Sequence, residues 1–273
     1  MTTILETRNL EKSFGAVYAA KDINISIDAG EVLGIIGSNG AGKTTFVNMV
    51  TGYLTPSAGE ILYRGKNITG LPTRDIIRLG ISRSFQIPQL FPELSVIENI
   101  LIALTIAKQE HPVLFRPAID PSLEEEALTL LARFKIDQCA DQEITTLPQG
   151  VRKLVDIAMA TVAEPDLLFL DEPTSGVSAD EKLDFMRVLI DALKSKETAV
   201  LFIEHDMEII ETFSPRCVAF YEGTILADGP TAEVLEDHKV REFVIGSEFH
   251  RDRSESKKAN ISPKENSSTK GNL

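Results

Sequence analysis

Apolar and polar positions alternate through DINISID, residues 22–28, and run together without interruption in VLGII, LLFL and AVLFI. They recur at helical spacing in SVIENILIALTIAK, SLEEEALTLLARFKI and VRKLVDIAMATVA. Alternation with period two marks a strand with one wetted face, whereas an unbroken short apolar run marks a strand covered on both faces. The pattern therefore predicts strands over residues 4–36, a helix over 42–52, strands in EILYRGKNI and a short helix in DIIRLG. A helical stretch follows over about residues 87–160, interrupted by the proline-broken HPVLFRPAIDP. Within it, Ser122 and Glu125 have the spacing of a capping box. From Leu167 to Cys217 strands and helices alternate, which predicts a mostly parallel sheet wrapped by helices. No internal repeat is visible.

Composition narrows the partners. The 273 residues are 43% hydrophobic with a formal charge of −13, enough for a sizeable core and unsuited to a nucleic-acid partner, whose phosphates need a basic face. The charge is uneven: residues 250–273 hold six basic and three acidic residues, net +3, against 22 basic and 38 acidic, net −16, in residues 1–249. Such a polar tail predicts disorder. No apolar run approaches the roughly 18 residues of a membrane span, and no export signal is expected in MTTILETRNLEKSFG. Cys139 and Cys217 have no metal-ligand spacing and predict reduced thiols in a cytosolic setting.

The strand EVLGII leads into GSNGAGKTTF, and a helix follows. Gly37, Gly40, Gly42, Lys43 and Thr44 fit G-x-x-x-x-G-K-[ST], with Ser38, Asn39, Ala41 and Thr45 completing the segment. Glycines let consecutive N–H groups curl around phosphates while the helix lends its positive end. Lys43 is then expected to reach the β and γ phosphates and the Thr44 hydroxyl to ligate Mg²⁺. A second buried strand, LLFLDE, ends in two acids. Asp171 is the expected metal ligand and Glu172 the general base for water. Together these predict hydrolysis of a nucleoside triphosphate.

The order of these and later motifs, from about Leu5 to Gly246, resembles the ATP-binding subunits of ABC transporters. The resemblance implies an α/β P-loop NTPase fold with a RecA-like core, an N-terminal antiparallel β subdomain and a helical subdomain at about 87–160, all within a domain spanning residues 1–249. It also implies ATP and Mg²⁺ as cofactors. Gln86, in ISRSFQ, matches the family's glutamine that ligates Mg²⁺ or orients water near the membrane partner. His205, in TAVLFIEHD, matches its switch histidine on the γ-phosphate. Phe14, in LEKSFG, matches the aromatic that stacks on adenine, though it reads equally as a core residue of the first strand. TSGVSAD matches the loop at the dimer interface, with Ser178 where the family commonly has Asp.

The family's signature loop reads Leu-Ser-Gly-Gly-Gln and faces the nucleotide of an opposing subunit. Here its place is taken by LPQGV, in which Leu147 and Gly150 match while Pro148 and Gln149 replace the serine and first glycine. Proline suits a first helical turn, leaving the backbone around Gly150 for phosphate. The resemblance implies a second ATPase subunit, identical or not, transmembrane permease subunits, a solute-binding protein acting indirectly, and a peripheral position at the cytoplasmic face of the membrane. RSFQIPQLFPELSVIENI resembles importer subunits for branched-chain amino acids, or for urea and short amides. A lipid or lipopolysaccharide exporter ATPase, a soluble ABC ATPase of cofactor assembly and a weak half of a heterodimer stay open as alternatives.

Overall fold

The computed structural model describes residues 2–84, 90–108, 121–194 and 198–246. Gln86 and the charged tail lie outside them. Two sheets organise the fold. Strands β1 (Thr3–Phe14), β2 (Val17–Asp28), β4 (Ala58–Tyr63) and β5 (Lys66–Asn67) form an antiparallel sheet in the order β2-β1-β4-β5. In β2 the alternation of DINISID is realised, with Ile23, Ile25 and Ile27 buried between exposed neighbours.

The second sheet has six strands: β3 (Val32–Gly37), β6 (Ile81–Arg83), β7 (Leu167–Asp171), β8 (Ala199–Ile203), β9 (Arg216–Tyr221) and β10 (Thr224–Pro230). Their order is β10-β9-β3-β8-β7-β6, and every neighbouring pair is parallel except β10 with β9. The uninterrupted runs have the burial they predict, because both faces of this sheet are covered. Leu167, Phe169, Leu201, Leu33 and Ile35 join a core with helix α1 (Lys43–Val50) and the antiparallel sheet. Leu168, Leu170, Val200, Phe202 and Ile36 turn the other way, into a core built by the later helices. Successive residues thus serve opposite cores, as the pleat requires.

Helix α2 (Thr73–Arg78) precedes β6, and α3 (Val96–Ala107), α4 (Pro121–Arg133) and α5 (Gln149–Thr161) form the helical region between β6 and β7. The capping box is found in α3 rather than α4. Ser95 accepts a bond from the Glu98 N–H while the Glu98 carboxylate accepts one from the Ser95 N–H. The described part of α4 runs from Pro121, so Ser122 lies within the helix and not at an N-cap ahead of it. Helices α6 (Lys182–Lys194) and α7 (Met207–Phe213) complete the alternation through β9. Cys139 and Cys217 are free thiols, Cys217 buried within β9 with its thiol pushed up to about 12 by burial. Among the described residues no helix is long and apolar enough to cross a membrane.

Candidate nucleotide site

The parallel register places the ends of β3, β8 and β7 side by side. Ile35 pairs with Ile203, and Ile203 with Asp171. The loop after β3, the dipeptide Asp171-Glu172 and the segment Glu204-His205 therefore emerge at one edge. Ligands of open α/β sheets bind beyond these carboxyl ends of the strands.

The loop between β3 and α1 is shaped by backbone conformations that side chains resist. Gly42 has φ of 103°, and a Cβ there would lie 2.6 Å from the Ala19 carbonyl oxygen. Gly37 has φ of 151°, and its Cβ would lie 2.5 Å from the Phe220 oxygen. Gly42 is the N-cap of α1 and supplies no side-chain bond to its first turn, leaving those donors facing the loop. Buried Lys43 donates through Nζ to the carbonyls of Gly37 and, at 3.1 Å, Ser38. Thr44, Asn39 and Gly40 are exposed, Ser38 and Thr45 half-buried, and Ala41 buried. This is a glycine cradle with one cation folded into it, and its donors fit phosphate.

At the end of β7 the two acids have different surroundings. Asp171 is 12% exposed in its side chain, and its Oδ2 accepts from Arg83 of β6 at 2.7 Å. Arg83 also donates to Asn48 of α1 at 2.5 Å, tying the phosphate-loop helix to the acid. Glu172 has a left-handed backbone, φ 48°. Its Oε1 lies 3.2 Å from His205 Nε2. That contact with His205 holds the Glu172 carboxyl below the usual range against the opposing effect of burial, and Lys43 and Lys153 act in the same direction. A carboxylate kept ionised and half-exposed beside a phosphate cradle can accept a proton from water.

Two groups that the sequence did not single out support this edge. Glu204 is 4% exposed and accepts from both the N–H and the hydroxyl of Thr174 at 2.8 Å, joining the loop after Glu172 to the loop bearing His205. Burial pushes its carboxyl up. Lys153, on α5, donates to the Glu172 carbonyl at 2.7 Å. No periodic signal marks Lys153, because α5 buries it within a run of six consecutive residues, 153–158.

Leu147 is buried, Pro148 is the N-cap of α5 with φ −57° and ψ 153°, and the helix starts at Gln149. The proline therefore stands one residue ahead of the first turn rather than in it. The N–H groups of Gln149, Gly150 and Val151 are those at the helix start, so Pro148 removes none of them. Arg152 bonds back to the carbonyls of Leu147 at 2.8 Å and Thr145 at 3.0 Å, and Gln149 covers Gly176 of the TSGVSAD loop. Phe14 is 56% exposed, which removes the core reading; it shares an exposed apolar strand end with Val17 and Tyr18, next to Ala19 under the phosphate loop. Among the described residues no group of three or more His, Cys, Asp or Glu forms a metal cluster.

A glycine cradle after a central parallel strand, with an acid pair at the end of β7, the strand beyond its neighbour β8, defines a P-loop nucleoside triphosphatase. Residues 20–175 match the family described as ABC transporter. The probable branched-chain amino acid transport ATP-binding protein LivG of Archaeoglobus fulgidus is 34% identical over 248 residues, covering 90% of this chain and 96% of that protein. The high-affinity branched-chain amino acid transport ATP-binding protein LivG of Escherichia coli strain K12 is 33% identical, covering 89% and 98%. A nucleotide-free ATP-binding cassette from an ABC transporter superposes with a TM-score of 0.77 at 31% identity, covering 88% of this chain and 98% of the other. The ADP conformation of such a cassette gives 0.79 at 31% identity, covering 89% and 98%. The chain belongs to the ABC transporter family, as one of its ATP-binding, ATP-hydrolysing subunits.

Proposed function

We propose that this chain powers the uptake of branched-chain amino acids, working as a pair of ATPase subunits on the cytoplasmic face of transmembrane permeases. The observation that carries the reading is end-to-end similarity: relatives named for branched-chain amino acid transport align over nine-tenths of the chain at about a third identity. Those names favour import over the lipid-exporter and cofactor-assembly alternatives. In this reading residues 1–249 are the ATPase domain, α3 to α5 are its helical subdomain, and a solute-binding protein delivers substrate to the permeases.

The 37–45 loop would hold the phosphates, with Lys43 reaching the β and γ phosphates, and exposed Phe14 would stack on adenine. Leu147, Pro148, Gln149 and Gly150 face the nucleotide held by the partner subunit. The donor set fits Mg²⁺, a hard cation that takes a hydroxyl, a carboxylate and phosphate oxygens: Thr44 and Asp171 would hold it, with Gln86 as a further ligand, and it would neutralise charge on the phosphates. Glu172 accepts the proton of the water that attacks the γ-phosphorus, while His205 orients Glu172 and the transferred group. Arg83 keeps one oxygen of Asp171 occupied and leaves the other for the metal.

The test is transport itself. Proteoliposomes holding the chain with its copurifying membrane subunits, supplied with the solute-binding protein, should take up labelled leucine when given Mg-ATP, and Glu172→Gln should abolish uptake while ATP still traps a dimer on gel filtration. ATP-dependent movement of lipid without leucine would overturn the substrate assignment, and undiminished uptake by Glu172→Gln the base.

A further inference from the structure

Glu172 occupies a left-handed backbone conformation that a residue with a side chain adopts only when its surroundings hold it there. Three bonds do so. The Glu172 N–H donates to the Ile203 carbonyl at 3.0 Å, and the Glu172 carbonyl accepts from the Ser175 N–H at 3.0 Å and from Lys153 Nζ at 2.7 Å. The first two come from the adjacent strand and the following turn. The third comes from α5, the helix whose first residues are the signature segment.

Lys153 is 4% exposed, among the least expected places for an ammonium group. Burial pulls the Lys153 ammonium below its usual range, and the neighbouring acids Glu204, Glu172, Asp156 and Asp171 oppose that pull. Its hydrogen bond is spent on a main-chain carbonyl of the residue assigned as base. It lies one helical turn beyond Gln149, which covers Gly176, and beside Arg152, which closes the turn holding Leu147. Any shift of the signature segment along α5 is thereby transmitted to the backbone of Glu172.

We infer that Lys153 is a positioning residue for the hydrolytic step, its ammonium group fixing the Glu172 backbone so that the signature helix sets the aim of the base within its own chain. The inference rests on Glu172 being that base. It makes the segment that meets the partner's nucleotide a mechanical neighbour of the base acting on this chain's nucleotide.

A double-mutant cycle on the purified full-length chain tests it. Lys153→Met should lower kcat by about tenfold while affinity for a fluorescent ATP analogue changes less than about twofold, since the phosphate cradle is untouched. Lys153→Arg, which keeps a cationic donor, should recover most of that rate. In the Glu172→Gln background, Lys153→Met should remove nothing further from the residual rate, because a residue that acts only through Glu172 has nothing left to aim. Equal fold-losses in both backgrounds, or a loss tracking ATP affinity, would overturn the inference as merely structural. A Glu172→Gln chain that turns over normally would instead overturn the base assignment. Should Lys153→Met not fold, Lys153→Gln keeps a polar tip in the buried site and carries the same cycle.

Discussion

The loop after β3 and the segment before α5 both end in a helix N-terminus without a side-chain cap, yet they are shaped by opposite means. In the first, Gly42 and Gly37 adopt angles that no other residue takes cheaply, and the packing leaves no room for a Cβ. In the second, Pro148 sits in an ordinary extended conformation and the turn is tied by a side chain, Arg152, reaching back from one turn on. A Cβ on Gly150 would meet Val177 and Phe185 only at ordinary contact distances of 3.8 and 3.9 Å. A backbone-built cradle is intolerant of substitution, while a side-chain-tied turn accepts several residues. That difference explains how LPQGV departs from the usual signature while GSNGAGKTT departs from nothing.

The sharpest way to break the comparison is Gly42→Ala. The added methyl meets the Ala19 carbonyl at 2.6 Å and the backbone angle of 103° is strained for alanine, so the loop must move. Strain of this kind costs about 1–3 kcal/mol before any lost phosphate contact is counted. ATP affinity by calorimetry should fall by about 100-fold, with the fold retained by circular dichroism. Affinity within a few-fold of the parent would show that the cradle is less backbone-determined than its geometry implies.

A smaller effect is expected at the edge between the two loops. His205 keeps the Glu172 carboxyl below its usual range, with Lys43 and Lys153 adding to the effect and burial opposing it. A base works while deprotonated, so activity persists above the depressed value and is lost as pH falls through it. Removing His205 lets burial raise the carboxyl, so in His205→Ala the acid limb of the kcat profile should move to higher pH. At neutral pH kcat should fall by about tenfold, the worth of one hydrogen bond to a charged group. An acid limb that stays in place would mean that His205 acts on the phosphate without tuning Glu172.

These sites were unequally legible in the sequence. The phosphate loop is local, and the spacing of Gly37, Gly42 and Lys43 states its own geometry. Glu172 and His205 were both visible as acids and histidine at strand ends, but their 3.2 Å contact depends on β7 lying beside β8, a long-range pairing that no local pattern encodes. Lys153 was hidden for a related reason. It is one of six consecutive buried residues of α5, so no apolar stripe points to it, and its partner is a main-chain carbonyl on another element. Phe14 reads as core or as surface from its strand alone, and its exposure at the last position of β1 decides. The misplaced capping box shows the limit of a four-residue motif: Ser122 and Glu125 have the same spacing as Ser95 and Glu98, yet α4 already contains Pro121 and Ser122, so Ser122 stands inside the helix and not at its cap.

The smallest expected effect tests the signature segment itself. Pro148 lacks the hydroxyl that serine would aim at a phosphate on the opposing subunit, while the N–H groups of Gln149, Gly150 and Val151 remain at the helix start. Pro148→Ser should therefore raise the ATPase rate of the assembled transporter by about two- to threefold, a fraction of the worth of one hydrogen bond to a charged group, because the backbone donors already carry most of the contact. Serine is also a favoured N-cap, its oxygen accepting from the helix's own donors, which would raise thermal stability whether or not its O–H donates to the phosphate. Rate and stability are therefore read separately. A faster rate, whatever the melting temperature, means that the hydroxyl reaches the partner's nucleotide and that proline holds turnover below what the fold permits. An unchanged or slower rate with a higher melting temperature means that Pro148 serves as a helix start, and the phosphate contact belongs to the backbone that Arg152 and Gly176 hold in place.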